Sequence, residues 1–197
     1  MTFIETVAED GADEPVAELY AGDREALGHV ANYTKAFSLR PEAYVAWREL
    51  NGAIKRPMDP RRYELVSVAA ARRRGSSYCL LAHGSILARK HLDPEVVRAL
   101  AADHAAAGLD DVDVAVMDLA ERVAADPGSV SQADVDRLRA LGLSDADVLD
   151  VVLAAAARCF FSGVLDALGV LPDAAFAALQ PPELRDALTV GRPIAET

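Results

Sequence analysis

Apolar residues recur at every third or fourth position along most of this chain, and Pro, Gly and Asp punctuate the pattern. That period marks helices with one buried face. Tyr44, Trp47 and Leu50 stand at helical spacing in a segment opened by Pro41, and the spacing predicts a helix over 41–54. Arg56-Pro57 ends it, because the residue before a proline avoids the helical region. Asp59-Pro60 joins a capping side chain to a proline at the first helical position. The helix it opens runs over 60–74 and stops at Gly75, a left-handed C-cap. Arg72, Arg73 and Arg74 then sit where cations complement exposed carbonyls.

Ser76 or Ser77 caps the next helix, over 77–90. Asp93-Pro94 opens another, to residue 107, where Gly108 breaks it. Further helices are predicted at 111–125, 131–140, 144–168 and 172–188, the last interrupted by Pro181-Pro182. Upstream, Glu14-Pro15 to Tyr20 reads as a short helix, 22–40 as a loop with a short helix, and 1–12 as an acidic, extended arm. Asn51-Gly52 and Asp10-Gly11 lack the alternating flanks of a hairpin. The expectation is an all-α bundle with short connections and antiparallel neighbours.

MDPRRYELVSVAAAR (58–72) resembles LSDADVLDVVLAAAAR (143–158). A shift of 86 residues lays Ala70-Ala71-Arg72 on Ala156-Ala157-Arg158, Cys79 on Leu165 and His83 on Gly169. The organisation expected is one domain over 1–197, with a core motif at 59–90 and a weak second half-repeat within 111–170.

Composition narrows the function. The chain has 197 residues, 52% hydrophobic, with 31 acidic and 20 basic side chains for a net charge of −11. A nucleic-acid binder carries the opposite excess, so no nucleic-acid partner is expected. Two cysteines 80 residues apart make no disulfide framework. MTFIETVAED has neither the basic nor the apolar segment of a secretion signal, and no charge-free apolar stretch of about 18 residues exists. A cytoplasmic protein with no membrane contact is expected, where thiols stay reduced.

Within GSSYCLLAHG (75–84), Cys79 lies in the first turn of its helix. Unpaired N–H groups and the helix dipole favour an anion there, which predicts a lowered thiol pKa. His83 follows at i+4, on the same face, where an imidazole can take the thiol proton directly or through water. Glu64 lies eleven residues before Gly75, about 16 Å along the first helix; His83 lies eight after it, about 12 Å along the second. In an antiparallel pair the two fall within a turn of one level. Glu64 is flanked by Tyr63, Leu65 and Val66, so its carboxylate needs a partner. His83 would be that partner, and the carboxylate would orient it. The plain alternatives are a small core residue for Cys79, an arginine partner such as Arg72 for Glu64, and an N-cap for Ser76.

Glu64, Ser76, Cys79 and His83 form E-x(11)-S-x-x-C-x-x-x-H. This resembles the E-x(11)-C-x-x-C-x-x-x-H motif of the alkylhydroperoxidase D-like branch of the carboxymuconolactone decarboxylase superfamily, within its peroxidase-related group. Tyr78 and Ala82-His83-Gly84 match as well, as do Val16 to Tyr20, Leu27-Gly28 and Arg40-Pro41-Glu42. The resemblance implies an all-α homo-oligomer (dimer, trimer or hexamer) and a redox site acting on peroxides, with electrons from an external thiol or lipoyl-type reductant. It implies catalytic roles for Cys79, His83 and Glu64, with Ser76 and Tyr78 in support.

Ser76 stands where the family has its other cysteine, which removes the intramolecular dithiol. Cys159 overlays on Arg73, away from the first turn of the Cys79 helix, so no Cys79–Cys159 disulfide is expected. The function expected is peroxide reduction through one cysteine. The alternatives are acid–base chemistry of the decarboxylase kind, which needs no thiol, and a non-catalytic oligomer. No cofactor is implied. Cys79, His83, His91 and Glu64 lack a second Cys/His pair at zinc spacing, so no metal is expected; His29 and His104 stand in no motif.

Overall fold

The computed structural model describes residues 2–196, and these form an all-α bundle with no strand among them. Its helices are α1 (Val16–Leu27), α2 (Asn32–Phe37), α3 (Pro41–Lys55), α4 (Pro60–Arg74), α5 (Ser77–Lys90), α6 (Pro94–Ala102), α7 (Asp111–Ala125), α8 (Gln132–Ala140), α9 (Asp145–Ala167) and α10 (Pro182–Ala187).

α4 is the central element. Every residue from Tyr63 to Ala71 is buried, because α7, α5 and α9 cover it on all sides. A stretch of helix buried on every face belongs in the middle of a protein. Ser67 and Ala69 to Ala71 let the neighbouring helices approach closely. The Asp59 carboxylate accepts from the Arg62 N–H at 2.9 Å and caps α4 at its start. Gly75 ends the helix at φ 67, a left-handed conformation that costs a glycine little. The chain then turns back into α5, so α4 and α5 form a tight pair.

Three boundaries differ from the expected ones. α1 runs to Leu27 rather than Tyr20, because Asp23, Arg24 and Glu25 continue the helix through Gly22 and Gly28 caps it at φ 81. α6 stops at Ala102 rather than 107: the Asp103 side chain accepts from the Ala105 N–H and starts a short 3-10 turn, His104–Ala106. The helix expected over 172–188 is a 3-10 turn, Ala174–Ala178, followed by the six residues of α10. Four alanines around Phe176 do not sustain an α-helix so close to two prolines.

α9 has 23 residues and is apolar and long enough to cross a membrane by length and composition. Val148, Val151, Ala154, Ala155, Phe161 and Leu165 nevertheless pack into the core. At the chain ends, Phe3 N donates to Leu168 O at 2.8 Å and Gly191 N donates to Ser77 Oγ at 2.7 Å.

Candidate active site

α4 and α5 bring Glu64 and His83 together. His83 Nδ1 lies 2.6 Å from Glu64 Oε2, and both side chains are largely buried. Glu64 Oε1 also faces the Lys55 ammonium of α3 at 3.7 Å. The partners of Glu64 are therefore His83 and Lys55. Arg72 points elsewhere, to Glu121 of α7 and the Ala102 carbonyl. Burial opposes ionisation of Glu64, but the His83 hydrogen bond, His83 itself, Lys55 and Arg158 outweigh it and hold its pKa below the usual value. His83 goes the other way from its ordinary value for a different reason: burial, then the Arg158 charge, pull its pKa down to about 4 against the pull of Glu64. At neutral pH the pair is thus an ionised carboxylate and a neutral imidazole. The Nδ1–H bond to Glu64 leaves Nε2 with a free lone pair.

Cys79 sits one turn before His83 on α5 and is 2% exposed. Its side-chain hydrogen-bond partner is Arg158 of α9, whose Nη1 lies 3.8 Å from Sγ. Arg158 Nη2 donates to the Tyr63 hydroxyl at 3.2 Å, and that hydroxyl donates to Asn51 Oδ1 at 2.8 Å. The lowered thiol pKa expected from the helix start does not hold. Burial pushes the Cys79 thiol up, and neither the Arg158 charge and hydrogen bond nor Ser76 reverses it. A helix N-terminus contributes only about 0.3–1 kcal/mol at an exposed site, less than the desolvation of a buried thiolate costs.

Ser76 occupies the N-cap position of α5 but makes no capping hydrogen bond with its side chain, again unlike the expectation. Its buried hydroxyl has no partner of good geometry, although it lies beside Cys79 and Asp166 and eases the ionisation of both. Tyr78 borders the same cavity as the thiol, but its hydroxyl is engaged elsewhere. Its hydroxyl donates to Asp173 Oδ2 at 2.5 Å, and Asp173 Oδ1 accepts from the Asn32 N–H at 2.8 Å. Cys79 and Cys159 are both free.

Cys79, His83, Glu64 and Arg158 line one cavity of about 340 Å³. Tyr33, Tyr44, Trp47, Tyr78 and Phe161 supply aromatic walls, and Phe161 stacks on Trp47 at 5.1 Å between centroids. Among the described residues no three His, Cys, Asp or Glu side chains stand together as a metal site. Arg158 is the site residue that sequence reasoning missed. The available signal was a lone arginine inside the apolar run VVLAAAARCFF, where a charge is buried only with a purpose or a partner.

The all-α scaffold thus sets a buried thiol and a carboxylate-oriented imidazole against one cavity. Residues 41–122, from α3 into α7, match the model of the carboxymuconolactone decarboxylase family. The segment holds Glu64, Ser76, Tyr78, Cys79 and His83, and the resemblance carried by their spacing is borne out. Arg158 lies beyond it.

Solved structures share the fold over nearly the whole chain. An uncharacterized peroxidase-related protein from Ralstonia eutropha JMP134, described as an alkylhydroperoxidase AhpD core, is 20% identical with a TM-score of 0.79, covering 97% of this chain and 98% of its own. A peroxidase-related protein from Silicibacter sp. TM1040 is 22% identical with a TM-score of 0.77, covering 88% and 95%. The debrominase Bmp8 is 17% identical with a TM-score of 0.72, covering 94% and 97%. At such identities the likeness is one of fold. No curated protein matches the chain.

Proposed function

We propose that this protein is a peroxidase-related oxidoreductase that reduces a peroxide through the single thiol of Cys79. The observation that carries the reading is one cavity lined by Cys79, the His83–Glu64 pair and Arg158, with the guanidinium 3.8 Å from the sulfur. The thiol is protonated at rest. His83 is neutral, and its Nε2 takes the thiol proton, directly or through a cavity water, while Glu64 holds the other ring nitrogen. Arg158 offsets the thiolate charge. The sulfur attacks the terminal peroxide oxygen, an S–O bond forms, and the O–O bond breaks. The departing alkoxide takes the proton from His83 and leaves as an alcohol. Cys79 becomes a sulfenic acid.

Ser76 provides no resolving thiol, so an external thiol condenses with the sulfenic acid, releasing water. A second external thiol then frees Cys79 as a disulfide departs. A lipoyl-type dithiol serves both steps, and a reducing, cytoplasmic compartment suits this cycle. Mass spectrometry after one equivalent of hydrogen peroxide is the test. One added oxygen on the Cys79 peptide, trapped by dimedone and lost in His83→Gln, is expected; an unmodified Cys79 rules the reading out.

A second reading keeps the proton chemistry and drops the thiol: acid–base catalysis of the decarboxylase kind by His83 and Glu64. The burial of Cys79 and its raised pKa favour it. It requires that Cys79→Ala keep turnover while His83→Ala loses it.

We also propose that copies of the chain associate. Leu149, Leu153 and Phe160 are exposed on α9, and with Ala146 and Ala156 they form one stripe at alternating spacings of three and four. Such an unbroken apolar seam supports helix-to-helix contact between subunits.

A further inference from the structure

The charges around Cys79 run against those of the molecule. The chain carries a net −11, yet its thiol cavity is lined by three cations, Arg48, Lys55 and Arg158, and one carboxylate, Glu64. His83 is neutral at neutral pH and adds nothing to this balance. Lys55 is engaged with Glu64 at 3.7 Å. Arg48 lies at the exposed rim, its guanidinium 5.8 Å from the centre of the Tyr44 ring, and pairs with no carboxylate among the described residues.

Arg158 is the unusual member. It is 5% exposed, and no carboxylate pairs with it among the described residues. Its contacts are a sulfur at 3.8 Å and a phenol at 3.2 Å, while its Nε–H is buried with no hydrogen-bond partner. A buried cation is ordinarily paired, and each buried donor ordinarily has an acceptor. Here both needs are unmet, and the unmet donor belongs to a side chain that lines an open cavity. With the Cys79 thiol protonated, Glu64 is the one negative charge against three cations, and even a Cys79 thiolate would leave one negative charge wanting. No side chain of the cavity supplies that last charge.

We infer that the missing charge is the substrate's, and that the cavity takes a small organic anion whose carboxylate is held by Arg158. A guanidinium presents its donors in a fork that fits a carboxylate better than a neutral oxygen. The apolar part of such an acid rests against Trp47, Tyr33 and Phe161. A cavity of about 340 Å³ suits a compact aromatic acid rather than a long chain. The inference rests on the proposed thiol chemistry in naming the ligand a substrate; the anion site itself does not.

Two alkylating reagents of equal size provide the test. In a Cys159→Ser background, iodoacetate and iodoacetamide are compared at neutral pH by the rate at which each modifies Cys79. Free thiols react faster with the neutral amide. An anion site reverses the order, so that iodoacetate is faster, and Arg158→Gln lowers the iodoacetate-to-iodoacetamide ratio about tenfold, the worth of one charge-assisted hydrogen bond. Any change in thiol pKa acts on both reagents alike and cancels in the ratio. Thermal shift gives an arm that needs no thiol reactivity: benzoate raises the melting temperature, benzamide does not, and Arg158→Gln abolishes the benzoate effect. A ratio favouring the amide and unmoved by Arg158→Gln overturns the inference, as does an equal response, or none, to benzoate and benzamide. If Cys79 resists both reagents while benzoate still binds, the anion site stands and the thiol reading falls.

Discussion

His83 is predicted to write an acid limb into the stability of the protein. Burial and the Arg158 charge take its pKa from 6.5 down to about 4 in the fold, although Glu64 pulls upward. The unfolded chain therefore binds a proton that the folded chain refuses between those values. Stability contributed by this group is complete above the unfolded pKa of 6.5 and is lost as pH falls toward 4. A shift of that size corresponds to about 3 kcal/mol in all, of which about 2.5 kcal/mol is lost by a pH near 4.5. The side chain is 12% exposed, so solvent screening takes little from this figure. The perturbation is His83→Gln, which keeps an N–H donor for Glu64 and removes the titration. Trp47 is the only tryptophan and is buried at the cavity wall, so its fluorescence reports urea unfolding. Wild type is expected to lose about 2–3 kcal/mol more than His83→Gln between pH 7 and 4.5. Asp113 and Asp166, whose pKa values burial raises, contribute with the opposite sign, and they cancel in the comparison because both proteins carry them. Equal losses in the two proteins would refute the argument that the fold keeps His83 neutral, and with it the base of the proposed cycle.

Other consequences can be checked separately. Burial lifts the Cys79 thiol above its ordinary value of 9.0, so its alkylation by iodoacetamide should keep rising through alkaline pH; a plateau below about pH 8 contradicts this. Tyr78→Phe takes the 2.5 Å hydrogen bond from the buried Asp173 carboxylate and should cost about 1–3 kcal/mol in chemical denaturation, whereas a loss within error means that the bond is not made. At Gly84 a Cβ would lie 2.6 Å from Leu188 Cδ2, so Gly84→Ala should destabilise by about 1–3 kcal/mol, and Leu188→Ala should cost less in that background than alone. If the α9 seam joins subunits, light scattering should show more than one 20.9 kDa chain per particle for wild type and a smaller mass for Leu149→Lys/Leu153→Lys; a wild-type monomer at micromolar concentration refutes association.

The parts of the site legible in the sequence are those that one short turn determines. Asp59-Pro60 and Gly75 set where α4 begins and ends, and the antiparallel return through Ser76 puts Glu64 and His83 level, 2.6 Å apart. No knowledge of the remaining chain is needed for that. Arg158 stands 79 residues from Cys79, and Tyr63 and Asn51 reach it only once α3, α4 and α9 have packed. A long-range contact of this kind leaves no periodic trace. Its one mark is a charge in an apolar run, and the apparent repeat hid even that by overlaying Arg158 on Arg72, an arginine that serves an ordinary ion pair with Glu121. The misjudged thiol pKa has the same origin, since the helix start is local but the burial that outweighs it is tertiary.

The α4–α5 pair carries Glu64 and His83, to which the proposed cycle gives the proton transfers, while α3 and α9 bring the cations together with Tyr44, Trp47 and Phe161. The family match ends at residue 122, before α9 begins. A chain can therefore share the turn, and with it the Glu64–His83 pair, while presenting a different α9 to the cavity. Under the proposed cycle the motif then speaks for how protons move, and under the proposed anion site the residue at the position of Arg158 speaks for which molecule enters. Arg158→Met should therefore alter the choice between charged and neutral electrophiles, measured as the ratio of their rates at Cys79, and by removing the Arg158 charge it should also raise the His83 pKa, an effect common to both electrophiles that leaves the ratio unchanged.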